Sequence, residues 1–136
     1  MGIYDYSVKN AAGEDVSLSD FEGKVMIIVN TATGCGFTPH YNTAFPQMKK
    51  SDVNGENELP LYTYLKSQKG FEGLPKGKHS MVLKLMFGKN DKNWEKNPDI
   101  KWNFTKFVVN RQGEVVARFE PTADMNDLEK CVASLI

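Results

Sequence analysis

The run VMIIVN at positions 25–30, which passes without a break into TATGCG, constrains this chain more than any other stretch. It is β-branched and apolar up to its closing asparagine. Such a run reads as a central strand covered on both faces, because a strand with one face in water would alternate. Beyond it, Thr38 is a candidate N-cap with Pro39 at the first helical position, and Pro46 forces an end, so a helix here has about two turns. Cys35 therefore falls between a buried strand and a helix N-terminus. The partial positive charge of that helix end favours a thiolate over a thiol. On frequency alone, a small buried cysteine packed as a hydrophobe is the commoner outcome. The surrounding sequence shifts the balance.

The 136 residues suit one domain spanning 1–136 and are too few for two of ordinary size. With 17 basic residues against 17 acidic ones, the chain has no global field for holding nucleic acid or an anionic membrane. No apolar run approaches the length that spans a bilayer, and the start MGIYDYSVKN lacks the regions of a secretory signal. Gly2 suggests myristoylation, but Tyr6 stands where that motif takes Ser or Thr. The expected location is the cytoplasm. Two isolated cysteines, Cys35 and Cys131, do not make the disulfide framework of a small secreted domain.

Around the central run, IYDYSV and EDVSLSD flank the turn NAAGED and predict an N-terminal β-hairpin. Asn54-Gly55 marks a turn. LPLYTYLKSQ, with Leu61 and Leu65 four apart and Lys66, Lys69 and Gly70 at its close, predicts an amphipathic helix. Residues 71–100 are rich in Gly, Lys and Asn around the apolar island MVLKLMF, whose length and period do not separate strand from helix. NFTKFVVN and EVVARFE around NRQG predict a second hairpin, and DMNDLEKCVASLI, with Asp124 as N-cap, predicts a closing helix.

A cysteine after a buried strand and before a helix is a thioredoxin-like placement. NTATGCGFT closely resembles the active-site segment of the glutathione peroxidase family, in the form with cysteine where other members carry selenocysteine. FPQMKKSDVNGENELPLYTYLK resembles the family's segment before and through its third helix, and KWNFTKFVVN the strand whose Trp-Asn pair faces the reactive thiol. Both the opening IYDYSVKN and the ending RFEPTADMNDLEKCVASLI fit as well, so the resemblance covers nearly the whole chain apart from residues 81–94. It implies that Cys35 is the peroxidatic residue and that Trp102 and Asn103 are two members of the catalytic tetrad. The chemistry suits these roles. An indole donates only its N–H, and a carboxamide donates two protons, so both can serve a thiolate or an oxyanion leaving from a peroxide.

One part of the family pattern is missing. The chain passes from CGFTPHY through NTA into FPQMKK, so between Tyr41 and Phe45 it lacks a helix-strand-helix segment that carries the tetrad glutamine. A parallel crossover needs roughly a dozen residues, and this linker cannot rebuild one. The implied fold is α/β, a thioredoxin-like fold with an N-terminal β-hairpin, shortened to a three-stranded core whose active-site strand lies at an open edge. Such an edge invites pairing with another chain.

Other candidates are weaker. Cys131 lies between Leu128 and Leu135 on the apolar face of the last helix and reads as structural. His40 and His79 could assist Cys35 as in a cysteine hydrolase, but surface histidines are the simpler reading. Structural-zinc spacing, a second cysteine after CGFT and a phosphate loop are all absent, so no metal or bound cofactor is expected. The resemblance implies reduction of hydrogen peroxide or organic hydroperoxides through a Cys35 thiolate and sulfenic acid. Its co-substrate would be a thiol, glutathione or a thioredoxin-like protein, with the small thiol favoured because the family's resolving cysteine belongs to the absent segment. The alternative is a catalytically impaired remnant acting by binding or self-assembly.

Overall fold

The structure is a computed structural model that describes residues 2–31, 48–75, 77–90 and 93–136. Expectations for the helix capped by Thr38 and begun by Pro39, for the stop at Pro46 and for Cys35 and His40 fall outside these residues. The N-terminal hairpin forms as expected: β1 (Ser7–Lys9) pairs antiparallel with β2 (Asp15–Ser17). Its turn is closed by Asn10, whose Oδ1 accepts the amides of Ala12 and Glu14 at 3.0 and 2.9 Å, with Gly13 at φ 83°. The second hairpin, β4 (Lys106–Val109) and β5 (Val115–Phe119), repeats this device. Asn110 Oδ1 accepts from Gln112 and Glu114 at 3.0 and 2.9 Å, and Gly113 has φ 83°. The shared pattern, Asn-x-x-Gly-Glu, is the physical signature of both turns: the carboxamide mimics a backbone acceptor and glycine takes the left-handed position.

Among the described residues the main sheet has three strands in the order β3-β4-β5, all antiparallel, with β3 at Met26–Val29. The expectation that VMIIVN is covered on both faces is overturned. Met26 and Ile28 pack against the core, but Ile27, on the opposite face, is 44% exposed. The doubly covered strand is β4, every residue of which is buried. An apolar β-branched run suits either place in a sheet, and only pairing decides: β4 has a neighbour on each side, whereas β3 has one among the described residues.

The expected amphipathic helix is α1 (Pro60–Gln68), with Pro at its start and Leu61, Tyr62 and Leu65 buried against Phe107, Val109 and Ile100. Tyr62 meets Phe107 edge to face at 6.1 Å, and desolvation drives its phenol pKa well above the usual value. The apolar island left open by the sequence is helical, in α2 (Lys78–Asn90). Leu83 is buried on one side, while Met81, Val82, Leu85 and Met86 are exposed, so apolar residues occupy two sides and blur the period. The closing helix is α3 (Met125–Leu135), capped as expected by the Asp124 carboxylate on the amide of Asn126 at 2.9 Å. No described helix is long and apolar enough to cross a membrane.

Candidate active site

Trp102 and Asn103 lie in the turn that leads into β4, and both are half-buried. The approach to this turn is anchored from outside it. Asn54 acts like a strand neighbour for Ile100, donating to its carbonyl at 2.7 Å and accepting from its amide at 2.8 Å. Arg118 on β5 donates to the carbonyls of Pro98 and Asp99 at 2.6 and 2.9 Å. Buried Lys66 on α1 reaches Glu58 at 2.9 Å and Asp99 at 3.3 Å. Side chains from α1, from β5 and from the Asn54 turn thus converge on residues 98–100, just ahead of the Trp-Asn pair.

The turn itself is closed by Asn30, directly after β3. Its backbone carbonyl accepts from Phe104 N at 2.6 Å, its side-chain Oδ1 accepts from Thr105 N at 3.1 Å, and its Nδ2 donates to the Trp102 carbonyl at 3.2 Å. Thr105 Oγ1 donates to the same carbonyl at 3.2 Å. Phe104 stands at φ 68°, a left-handed conformation that costs a bulky residue about 1 to 3 kcal/mol unless its surroundings over-determine it. Here they do: Phe104 is 2% exposed, its amide is bound by Asn30, and its carbonyl accepts from Lys106 Nζ at 2.7 Å.

The Trp102 ring belongs to an aromatic series. It lies 6.1 Å from the Phe87 ring of α2, which lies 5.4 Å from Trp94, which lies 5.5 Å from Phe71. Residues 71–100, unreadable as secondary structure from sequence, therefore supply the wall behind Trp102. Near the turn, Lys106 is 3% exposed, and desolvation lowers its pKa to about 8 against the opposing pull of Glu120. Glu120, paired with Arg118 at 2.7 Å, has its pKa raised by burial, with Arg118 acting in the other direction. A cavity of about 480 Å³ opens beside Arg118 and Glu120, lined also by Lys69, Glu72 and Asp127, but neither Trp102 nor Asn103 lines it.

Of the residues singled out by sequence, the structure places Trp102 and Asn103 in the turn bound by Asn30 just after β3, with the Trp102 ring against Phe87 of α2. Cys131 is half-buried on α3, in the stripe with Leu128 and Leu135. His79 lies in the first turn of α2. Asn30, Asn54 and Lys106 escaped the sequence reading. Asn30 had a visible signal, a polar residue closing an apolar strand and opening the TATGCG turn, but nothing in one dimension linked it to positions 102–105.

Comparison with known proteins bears on the family and the fold. The glutathione peroxidase family model matches residues 3–44. A glutathione peroxidase homolog of Neisseria meningitidis is 38% identical over 185 aligned positions, covering 100% of both chains. Because the chain has 136 residues, that alignment must open gaps against it, as a missing internal segment requires. Glutathione peroxidase 1 of Caenorhabditis elegans is 35% identical, over 94% of this chain and 92% of its own. A probable phospholipid hydroperoxide glutathione peroxidase of Mesembryanthemum crystallinum is 34% identical, over 98% and 92%. Among solved structures, the crystal structure of apo Trgpx superposes with a TM-score of 0.74 at 26% identity, covering 99% of this chain and 95% of the other. That of T. cruzi GPX1 gives 0.71 at 27%, covering 99% and 96%. These matches bear out the thioredoxin-like α/β fold.

Proposed function

The chain belongs to the glutathione peroxidase family of oxidoreductases, and from that premise we propose that it reduces hydrogen peroxide or organic hydroperoxides at Cys35, with Trp102 and Asn103 as hydrogen-bond donors. The observation that carries the reading is the joining of the Trp102-Asn103 turn to Asn30. Asn30 precedes Cys35 by five residues, a span of at most about 18 Å, and this short reach supports reading the Trp102-Asn103 turn and Cys35 as parts of one site.

In the first step the Cys35 thiolate attacks one peroxide oxygen, the O–O bond breaks, and the products are a sulfenic acid and an alkoxide or hydroxide that takes up a proton. Indole and carboxamide donors suit both the thiolate and the leaving oxyanion. A thiol then condenses with the sulfenic acid, releasing water and forming a mixed disulfide, and a second thiol frees Cys35 by exchange. Two electrons pass from the two thiols to the peroxide. We assign the donor role to glutathione over a thioredoxin-like protein, because Cys131 is held in the helix stripe of α3. Pairing of two copies through the β3 edge belongs to the same reading, since it would cover the face that the absent segment covers in relatives.

Peroxide consumption with glutathione, compared in Cys35→Ser and Cys131→Ser proteins, tests the cycle. Cys35→Ser should abolish turnover, and Cys131→Ser should leave it within about twofold. Loss of turnover in Cys131→Ser would overturn the one-thiol cycle, and an inactive parent protein would favour the remnant reading.

A further inference from the structure

The polar atoms of the Asn30 side chain are committed to one small segment. Oδ1 takes the Thr105 amide, Nδ2 takes the Trp102 carbonyl, and the Asn30 main-chain carbonyl takes the Phe104 amide. Only a carboxamide of this length offers an acceptor and a donor to main-chain groups three residues apart. Ionised Asp would accept without donating, and Ser has one oxygen where Asn30 uses two separate atoms. The clasp brackets Phe104, whose φ of 68° is a left-handed conformation that a bulky residue keeps only where its surroundings hold it: the Asn30 main-chain carbonyl holds its amide, and the Asn30 side chain holds the Trp102 carbonyl and the Thr105 amide on either side.

We infer that Asn30 is a positioning residue for the peroxidase reaction, acting through the Trp102-Asn103 turn by holding it to the strand that leads to Cys35. The inference rests on the function proposed above. Its content is that the turn carrying both donors is held from the end of the strand that precedes TATGCG in the sequence. Displacement of reacting groups by about 1 Å can cost roughly a hundredfold in rate, so a clasp of this kind has kinetic weight beyond its contribution to folding.

The test uses the full chain carrying Cys131→Ser, so that Cys35 is the single thiol, with Asn30→Ala and Asn30→Ser added in turn. Two quantities are read: the pH profile of Cys35 alkylation, and kcat/KM for hydrogen peroxide with glutathione. Both substitutions should raise the Cys35 pKa by about one unit, since donors to the thiolate lose their aim, and lower kcat/KM by about tenfold or more. The same substitutions placed on Trp102→Phe with Asn103→Ala, which lacks both donors, should lower kcat/KM by less than about threefold, because a residue that acts through the pair has little left to lose. Unchanged pKa and rate in folded Asn30→Ala, or an equal loss in the background lacking both donors, overturns the inference. So does failure of both variants to fold, which would make the role purely structural. Should the parent consume no peroxide, the peroxidase reading fails, while the alkylation profile still decides whether Asn30 governs the thiol.

Discussion

At the scale of single residues, Lys106 is the clearest case of a group whose chemistry the fold has altered. It sits in a strand that is buried throughout, and its ammonium donates to the Phe104 carbonyl that the left-handed turn leaves facing it. Burial lowers its pKa from 10.5 to about 8. Between those values the unfolded chain binds one more proton than the folded one, so stability rises with pH across that window; below about pH 8 the cost of the buried charge is present in full. The rise should be on the order of 2 to 3 kcal/mol. Urea denaturation at pH 7.5 and 9.5 should show it in the parent and a flatter response in Lys106→Met. Equal slopes in the two proteins would mean that Lys106 is not the titrating group.

At the scale of elements, the two Asn-x-x-Gly-Glu hairpins provide an internal control. Gly13 and Gly113 both have φ 83°, but a Cβ at Gly13 meets nothing within 4 Å, whereas one at Gly113 falls 2.6 Å from Tyr4 Cε2. The Tyr4 ring lies over the second turn, with its hydroxyl donating to the Arg111 carbonyl at 3.4 Å. Gly13→Ala should therefore cost only the conformational penalty, about 1 to 2 kcal/mol. Gly113→Ala should cost that and a further 1 kcal/mol or more, roughly, from displacement of Tyr4. Thermal midpoints of the two variants measure the difference. If they coincide, the N-terminal segment does not pack on the β4–β5 turn as described.

At the scale of the whole molecule, the second side of β3, which has no strand neighbour among the described residues, matters most. Its residues, Met26–Val29, carry no charge and no proline, so they lack the devices that normally blunt an edge, and Ile27 adds an exposed apolar side chain. Each backbone group buried without a partner costs about 1 to 3 kcal/mol, which favours pairing with a second copy. Light scattering at micromolar concentrations should report a dimer or larger assembly, and Ile27→Lys should shift it to monomer. A parent that is monomeric throughout, with slow amide exchange in residues 26–29, would show the edge to be covered within one chain.

Both hairpins, α1, and α3 with its Asp124 cap were readable from sequence because each rests on local chemistry: glycine at a left-handed turn, a carboxylate on a free helix amide, an apolar stripe at helical spacing. The family was readable for another reason, the resemblance of whole segments such as NTATGCGFT. Trp102 and Asn103 stood out by the same resemblance, as adjacent residues of KWNFTKFVVN, and their role belongs to the proposal above. Whatever depends on two distant stretches meeting was left to the folded chain. It made β4 the covered strand and, among the described residues, β3 an edge; it formed the apolar island 81–87 into a helix whose Phe87 backs Trp102, and it brought Asn30 to residues 102–105. Periodicity reports which way a side chain faces within its own element. It cannot report which neighbour lies beside a strand, or which main-chain groups seventy residues away a carboxamide will bind.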